Sequence, residues 1–548
     1  MSSQQEPARE GSNLAAAHSA WAPFSSHAFC WLWLANTVSA LGTWIQNTAS
    51  AWIMTDLAPS PMMVSLVQVA AQLPVLLLAL PAGALADLMD LRRNLILSNM
   101  LMLMAAVALA IVAALGRLDA IILLALTALL AVGAALNNPA WAASVPLTVP
   151  RQVLPQALVL NAVGFNIARA IGPAMGGLIL TVAGVTIAFA ANAASFAFVG
   201  LVVGILLTFP RTRMSTDVPP EQFRSAMRVG LAYVLAEPVV YSTLVRSAAF
   251  YGCASAIWAL LPLYVRDVLG LSSASFGVMM GVIGVGAVLG GLMMPLLRKW
   301  IPRNDLITLA GLACGLALVP LALIPGTVTA YPALLVFGFG WIVGASNLQA
   351  TVQLAAAPWV RARALALYQA MYNGGMGLGA LLWGLLGEHA GLTGTILAAG
   401  LAGSVIALLT RGVELPAEIG DPSAPALAVS RPLSIAEEMA PLLHSARHRL
   451  VLAIRYRIDP ADAAAFRAAM AEVRLARHRY GAEGWTLSRD VSEPTHWVET
   501  FRLRDWHELQ RGIGHYNLAD SEAVVRARSY HLDAEPPGMT LLLEDPGA

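Results

Sequence analysis

Two groups of polar residues in this largely apolar chain have the spacing to do work: a short ionic cluster and a deeply placed cation. Gly83 is followed by Asp87, Arg92 and Arg93 in a loop between two long apolar runs. A carboxylate at a helix end can meet an arginine or the positive N-terminus of another helix, so this loop has the parts of a gate. Arg169 lies 18 residues beyond Arg151 inside one apolar run. At about 1.5 Å per residue that is deep in a bilayer, where a charge must face a cavity or a partner. Asn166, one turn earlier, shares its face. The pair is expected to line a central path and hold an anionic or oxygen-rich group. The competing reading is a structural arginine satisfied by backbone carbonyls. Arg246 is a second candidate, close enough to a surface to snorkel.

Asn36, Gln46, Asn138 and Asn373 are expected in the same path as a set, although each alone could be glue between helices. Trp44, Trp141, Trp258 and Trp341 could wall it or anchor at interfaces. Gly172, Pro173, Gly176 and Gly177 form a further cluster. Glycines four apart let helices approach closely, and proline permits a kink.

The elements that position these residues follow from composition. The chain is 58% hydrophobic and only 12% charged, against about a quarter charged in soluble domains. Apolar runs fall near 27–55, 62–86, 94–115, 119–146, 152–182 and 185–209, then 239–265, 272–297, 304–325, 329–355, 361–387 and 391–411. An all-α polytopic membrane protein is expected. Arginines concentrate in alternate connections, which places both termini in the cytoplasm. A formal net charge of +1 without a basic tract gives no reason to expect nucleic acid. Cys30, Cys253 and Cys314 show no metal or disulfide spacing, and no cofactor is expected.

The chain repeats itself. Gly83 and Gly290 are 207 residues apart, and the same offset joins Arg92 to Lys299, Asn166 to Asn373, Gly172 to Gly379 and Gly177 to Gly384. Two six-helix halves related by duplication follow, 27–209 and 239–411, joined by a polar loop at 210–238, with the substrate site between them. Asp87 falls opposite Met294, so its carboxylate occurs once. No Asp or Glu stands in the middle of a predicted span; Asp56, Asp119, Asp267 and Glu388 lie near outer ends. The chain must then use Asp56 or Asp87 for proton coupling, or couple differently.

Residues 1–26 read as a cytoplasmic tail and the proline-rich 412–445 as a linker. From 446 to 548 the chain is charged and soluble in character. Strands are expected at 451–458, 485–491, 496–503 and 539–543, and helices at 460–479 and from 505. The β-α-β-β-α-β order implies a small α+β ferredoxin-like domain.

The Gly83–Arg93 loop resembles the helix 2–3 signature of the major facilitator superfamily, with Leu88 and Asp90 departing from it. The resemblance implies a twelve-helix fold and a clamp that holds the cytoplasmic side shut in the outward-open state. The stretch around Gly172 to Gly177 is similar to the helix-5 signature of antiporters there, with Ala168 replacing its first glycine. Pro358 to Ala366, Ala259 to Pro262 and Asn161 to Gly177 resemble the branch that includes the enterobactin exporter, the transmembrane secretion effectors. That branch also resembles this chain in its tail, at Trp485 to Asp490, Trp497 to Phe501 and Asp505 to Leu509.

The resemblance implies a bacterial inner-membrane exporter of a siderophore, macrolide or similar amphiphile, with exchange for protons as one option for its coupling. The tail is further similar to antibiotic-biosynthesis monooxygenases, which are dimeric α+β barrels. His507, His515, Asn517 and Trp506 follow no established catalytic spacing, so a regulatory or dimerising module is expected rather than an enzyme. A membrane-anchored monooxygenase or a non-transporting sensor or scaffold are the rival readings.

Overall fold

The computed structural model describes residues 19–206, 223–357, 360–412, 439, 443, 449–479, 481–506, 508–509 and 518–544. They divide into two compact units, Met1–Arg213 with Val245–Leu348 and Gln369–Glu414, and Met214–Leu244 with Gln349–Tyr368 and Leu415–Ala548.

The first half of the membrane part holds α1 (His27–Leu57), α2 (Pro61–Leu88), α3 (Leu91–Ala114), α4 (Ala120–Ser144) and α5 (Leu154–Leu201). After α6 (Phe223–Ala236) the second half holds α7 (Pro238–Leu263), α8 (Ser273–Trp300), α9 (Arg303–Leu323), α10 (Thr327–Ala355), α11 (Arg361–Ala390) and α12 (Leu392–Arg411). Ser26, Ser60, Asp90 and Asp119 cap α1 to α4, each side chain accepting from a backbone N–H in the first turn. These short polar side chains satisfy donors that the helix itself leaves unpaired.

Among the described residues, ten helices are long and apolar enough to cross a membrane, against twelve expected runs. Two physical reasons account for the difference. Gly184 sits at φ 81° and ψ 174° inside α5, a conformation that favours glycine, so α5 is two helices meeting at a bend. α11 spans 30 residues, but Arg361, Arg363, Gln369 and Asn373 dilute its apolar character.

The interval 210–238 was expected to be a polar connection. It contains the 14-residue α6, with Tyr233 and Val234 buried one turn beyond buried Gly230. Its arginines mask a helical pattern that a span-length window does not register.

In the second unit β1 (Leu450–Arg457), β2 (Glu483–Arg489), β3 (His496–Leu503) and β4 (Gly538–Leu543) form one sheet in the order β2-β3-β1-β4. All three pairings are antiparallel. α13 (Ala463–Arg479) and α14 (Leu518–Arg528) complete the domain. Leu450, Leu452, Ile454 and Tyr456 alternate along β1 and pack with Phe466 and Met470 of α13, the period-2 pattern of a strand with one buried face. Trp506, Glu508 and Leu509 are helical, as expected from 505, and Asp505 accepts from the Glu508 amide at 2.7 Å; a further helix spans Leu518–Arg528.

Candidate functional site

Arg169 stands near the middle of the first arm of α5, in a small pocket lined also by Trp44, Pro173, Trp258, Met280 and Trp341. Trp44 and Trp341 are near the midpoints of α1 and α10. Arg169 thus stands halfway along its helix arm, and both halves contribute to the pocket. Aromatic rings continue from the pocket: Trp44 to Trp258 at 6.2 Å, Trp258 to Trp341 at 5.3 Å, Trp341 to Tyr251 at 5.3 Å and Tyr251 to Tyr372 at 4.7 Å between centroids. Tyr251 and Tyr372 are electrostatic neighbours of the half-buried Arg169.

The chemistry of this pocket favours an anion. Another cation within roughly 6 Å of Arg169 would be repelled by about 3 kcal/mol at an effective dielectric of about 20. A desolvated aromatic face returns roughly 2 kcal/mol to a cation. The repulsion wins.

The glycine cluster forms the seam beside the pocket. A Cβ on Gly172 would lie 2.5 Å from Trp44 Cβ, and one on Gly176 would lie 3.0 Å from Ile45 O. On the other face a Cβ on Gly177 would come within 2.6 Å of Ser273 O and 2.7 Å of Gly277 Cα. So α5 uses Gly172 and Gly176 against α1, and Gly177 against α8. Pro173 lies in the α5 interior and is buried. The repeat is visible in this packing: Gly379 meets Gly252 on α7, and Gly384 meets Ser65 on α2.

One end of the two halves is tied. Asp56 pairs with Arg266 at 2.9 Å, Thr181 with Ser273 at 2.8 Å, and the Met62 amide donates to Glu388 at 3.1 Å. Trp52 and Phe276 stack at 5.7 Å beneath them. Each link joins the first repeat to the second.

The loop at the opposite end of α2 is arranged differently. Among the described residues a Cβ on Gly83 would meet nothing within 4 Å. Its mate Gly290 is tightly packed, 2.6 Å from Ile342 Cγ2 on the same test. Asp87 lies in the last turn of α2, and its side chain is outside the described residues. Arg92 donates to the Gly204 carbonyl, and Arg93 is exposed. Asp90, which departs from the loop signature, accepts from the Arg93 amide at 3.0 Å. It has become a helix cap.

The remaining polar candidates divide. Asn36 donates to Asn161 at 2.9 Å, and buried Gln46 accepts from Asn192 at 2.5 Å. Asn166 and Asn373 each donate to the carbonyl four residues back, at 2.8 and 2.7 Å. Asn166 is exposed and Asn373 buried, and neither lines the Arg169 pocket. Asn138 is exposed. Arg246 is buried and donates to Asn304 and, at 3.1 Å, to Thr308. Burial replaces the expected snorkelling because α9 supplies its acceptors. Tyr251 and Tyr372 escaped the sequence reading. A signal existed for both: Tyr251 lies 207 residues after Trp44, and Tyr372 lies 207 residues after Phe165, the repeat offset.

In the C-terminal domain Glu499 is buried and accepts from Arg477 Nε at 2.9 Å, Trp485 Nε1 at 3.0 Å and Tyr456 OH at 3.0 Å. Burial alone would raise its pKa. The Arg477 charge and these donors outweigh burial and hold the carboxyl below the usual range. The Tyr456 phenol is pushed up, by burial first and then by Glu499. Arg228 of α6 donates to Glu483 and, at 2.9 Å, to Glu508, while Arg479 meets Glu237 at 3.0 Å. Burial pushes the Glu508 carboxyl up against the pull of the Arg504 amide and Arg228. Trp506 belongs to the domain core. His507, His515 and Asn517 lie outside the described residues. The described residues contain no group of three or more metal-ligating side chains.

A family profile described as transmembrane secretion effector matches residues 18–546. The staphyloferrin A transporter of Staphylococcus aureus is 24% identical, over 51% of this chain and 70% of that protein. The multidrug efflux pump Tap of Mycolicibacterium fortuitum is 25% identical, over 66% and 89%. Macrolide efflux protein A of Streptococcus pyogenes is 22% identical, over 54% and 73%. Among solved structures, a bacterial homologue of the human lysosomal transporter Spinster superposes with a TM-score of 0.57 at 14% identity, covering 71% of this chain and 97% of that one. The nucleoside transporter NupG gives 0.58 at 13%, covering 71% and 100%.

Proposed function

We propose that this chain, which belongs to the transmembrane secretion effector family of the major facilitator superfamily, exports a siderophore, a macrolide or a similar amphiphile by alternating access. Its family and relatives are membrane transporters, not enzymes. The observation that carries export of such a molecule is the place of the pocket. A cation and aromatic rings from both halves meet halfway along the helices, while the Asp56 ends are tied. A duplicated transporter holds its substrate at that level. The relatives named for staphyloferrin A and macrolides support a small-molecule cargo.

The arginine bias assigns both termini and the Arg92 loop to the cytoplasmic side of the bacterial inner membrane. The tied ends are then the outer ones, and the conformation is the one that loads from the cytoplasm. In the opposite state Gly83, Asp87, Arg92 and Arg93 clamp the cytoplasmic side. The open space at Gly83 and the exposed Arg93 suit a clamp that is released here. Exchange for protons would use Asp56 or Asp87.

The C-terminal domain is read as ferredoxin-like and as a regulatory or dimerising module. The sheet order β2-β3-β1-β4 supports that fold. The Arg228 and Arg479 contacts support regulation, because α6 lies in the chain between the two halves. Proteoliposomes loaded with a ferric-siderophore ligand or a macrolide, with and without a pH gradient, test the function. Movement of one of them supports export; movement of neither, with correctly inserted protein, overturns it.

A further inference from the structure

The polar lining of the Arg169 pocket is one-sided. Arg169, Trp44, Trp258 and Trp341 supply its polar groups apart from the Met280 thioether. Guanidinium and indole groups donate hydrogen bonds and accept none. Trp258 Nε1 is buried without an acceptor among the described residues. The Arg169 guanidinium has no hydrogen-bond or ion-pair partner among them either. A buried donor left unpaired is costly, and an unpaired cation in midspan more so. Two unpaired donors in one pocket are satisfied together by an oxyanion.

The rest of the pocket decides what the oxyanion must be attached to. Pro173, Met280, Ile283 and Ala287 make an apolar floor. Trp258 and Trp341, 5.3 Å apart between centroids, make its ring wall. Inorganic anions would leave this surface dry and uncontacted, whereas a planar or aromatic body would cover it. An aromatic wall by itself could hold a cation, but among the described residues no Asp or Glu lines the pocket to offset Arg169. The repeat carries the same message. Arg169 falls opposite Met376, 207 residues on, so the charge was placed in one half of a duplicated scaffold.

We infer that the pocket selects anionic amphiphiles, with the oxyanion on Arg169 and Trp258 and a planar or aromatic body against Trp44 and Trp341, and rejects cations of the same shape. This rests on the export reading and narrows it from amphiphiles in general to anionic ones.

Three naphthalene probes of matched size test the sign of the charge: 2-naphthalenesulfonate, its neutral sulfonamide and a trimethyl-naphthylammonium ion. Each is measured by quenching of tryptophan fluorescence in the full-length purified protein, and by flux from proteoliposomes. The sulfonate should bind at least tenfold more tightly than the sulfonamide, and the ammonium ion should neither bind saturably nor move. Arg169→Gln should erase the sulfonate's advantage and spare the sulfonamide's affinity, which also shows that the variant is folded. Arg169→Lys should retain part of the advantage. Equal or better handling of the ammonium ion, or an undiminished preference in Arg169→Gln, would overturn the inference and leave export standing. Flux of none of the three, together with none of a siderophore or macrolide, would overturn both.

Discussion

Asp56 at the end of α1 and Arg266 just past α7 meet at 2.9 Å and join the two halves of the duplicated scaffold. The pair is partly exposed, at 48% and 34% of the side chains, so its worth is that of a surface ion pair, about 0.2–1 kcal/mol. Asp56→Asn should therefore shift the equilibrium between the two facing states by no more than roughly fivefold. Distance measurements between spin labels on α1 and α7 would show the shift, and the charge-swapped double variant should reverse it. A complete loss of the tied state would mean that this pair alone holds it.

Asp87→Asn should insert at normal levels and lose transport. The clamp needs a carboxylate, and the repeat offers Met294 at the corresponding place. Flux in proteoliposomes, normalised to inserted protein, measures this. Wild-type flux in Asp87→Asn would remove the gating role from the loop.

Gly177 and Gly83 should respond in opposite ways to a methyl group. At Gly177 an added Cβ meets Ser273 O at 2.6 Å and Gly277 Cα at 2.7 Å, both backbone atoms that cannot turn aside. Gly177→Ala should cost about 1–3 kcal/mol through overpacking. At Gly83 the same atom meets nothing within 4 Å among the described residues, so Gly83→Ala should leave the melting temperature unchanged and act on flux only through the opposite state. Thermal melts of the two variants in detergent provide the comparison.

Glu499→Gln should destabilise the C-terminal domain by about 3–5 kcal/mol, since it leaves the Arg477 charge buried without its partner. A pH dependence of known sign accompanies this. The Glu499 carboxyl is held below the usual range, so its contribution is fully present above the unfolded-state value of about 4.3. It is lost as pH falls through the lower folded value. Hydrogen exchange across 450–503 in the full-length protein should show the wild type loosening in that acidic window. The Gln variant should already be loose at pH 7 and show no such step.

Much of the architecture was legible in the residues because it rests on local pattern. Run length and apolarity marked the spans, period-2 alternation located β3 at 496–503, and a fixed offset of 207 disclosed the two halves. The place of Arg169 halfway along a helix arm also followed, because rise per residue is constant along a helix. Which way each helix turns its polar side chains was a different matter, since that is set by neighbours distant in sequence. Gln46 was a path candidate until Asn192, 146 residues away, occupied it; Arg246 met Asn304 and Thr308 in the same manner. Likewise only the folded chain decided that Tyr251 and Tyr372 adjoin Arg169, and that the Asp56 ends are tied while Gly83 stands open. Local pattern determines what a segment is, whereas packing between segments determines what each side chain faces, and the Arg169 pocket depends on the second.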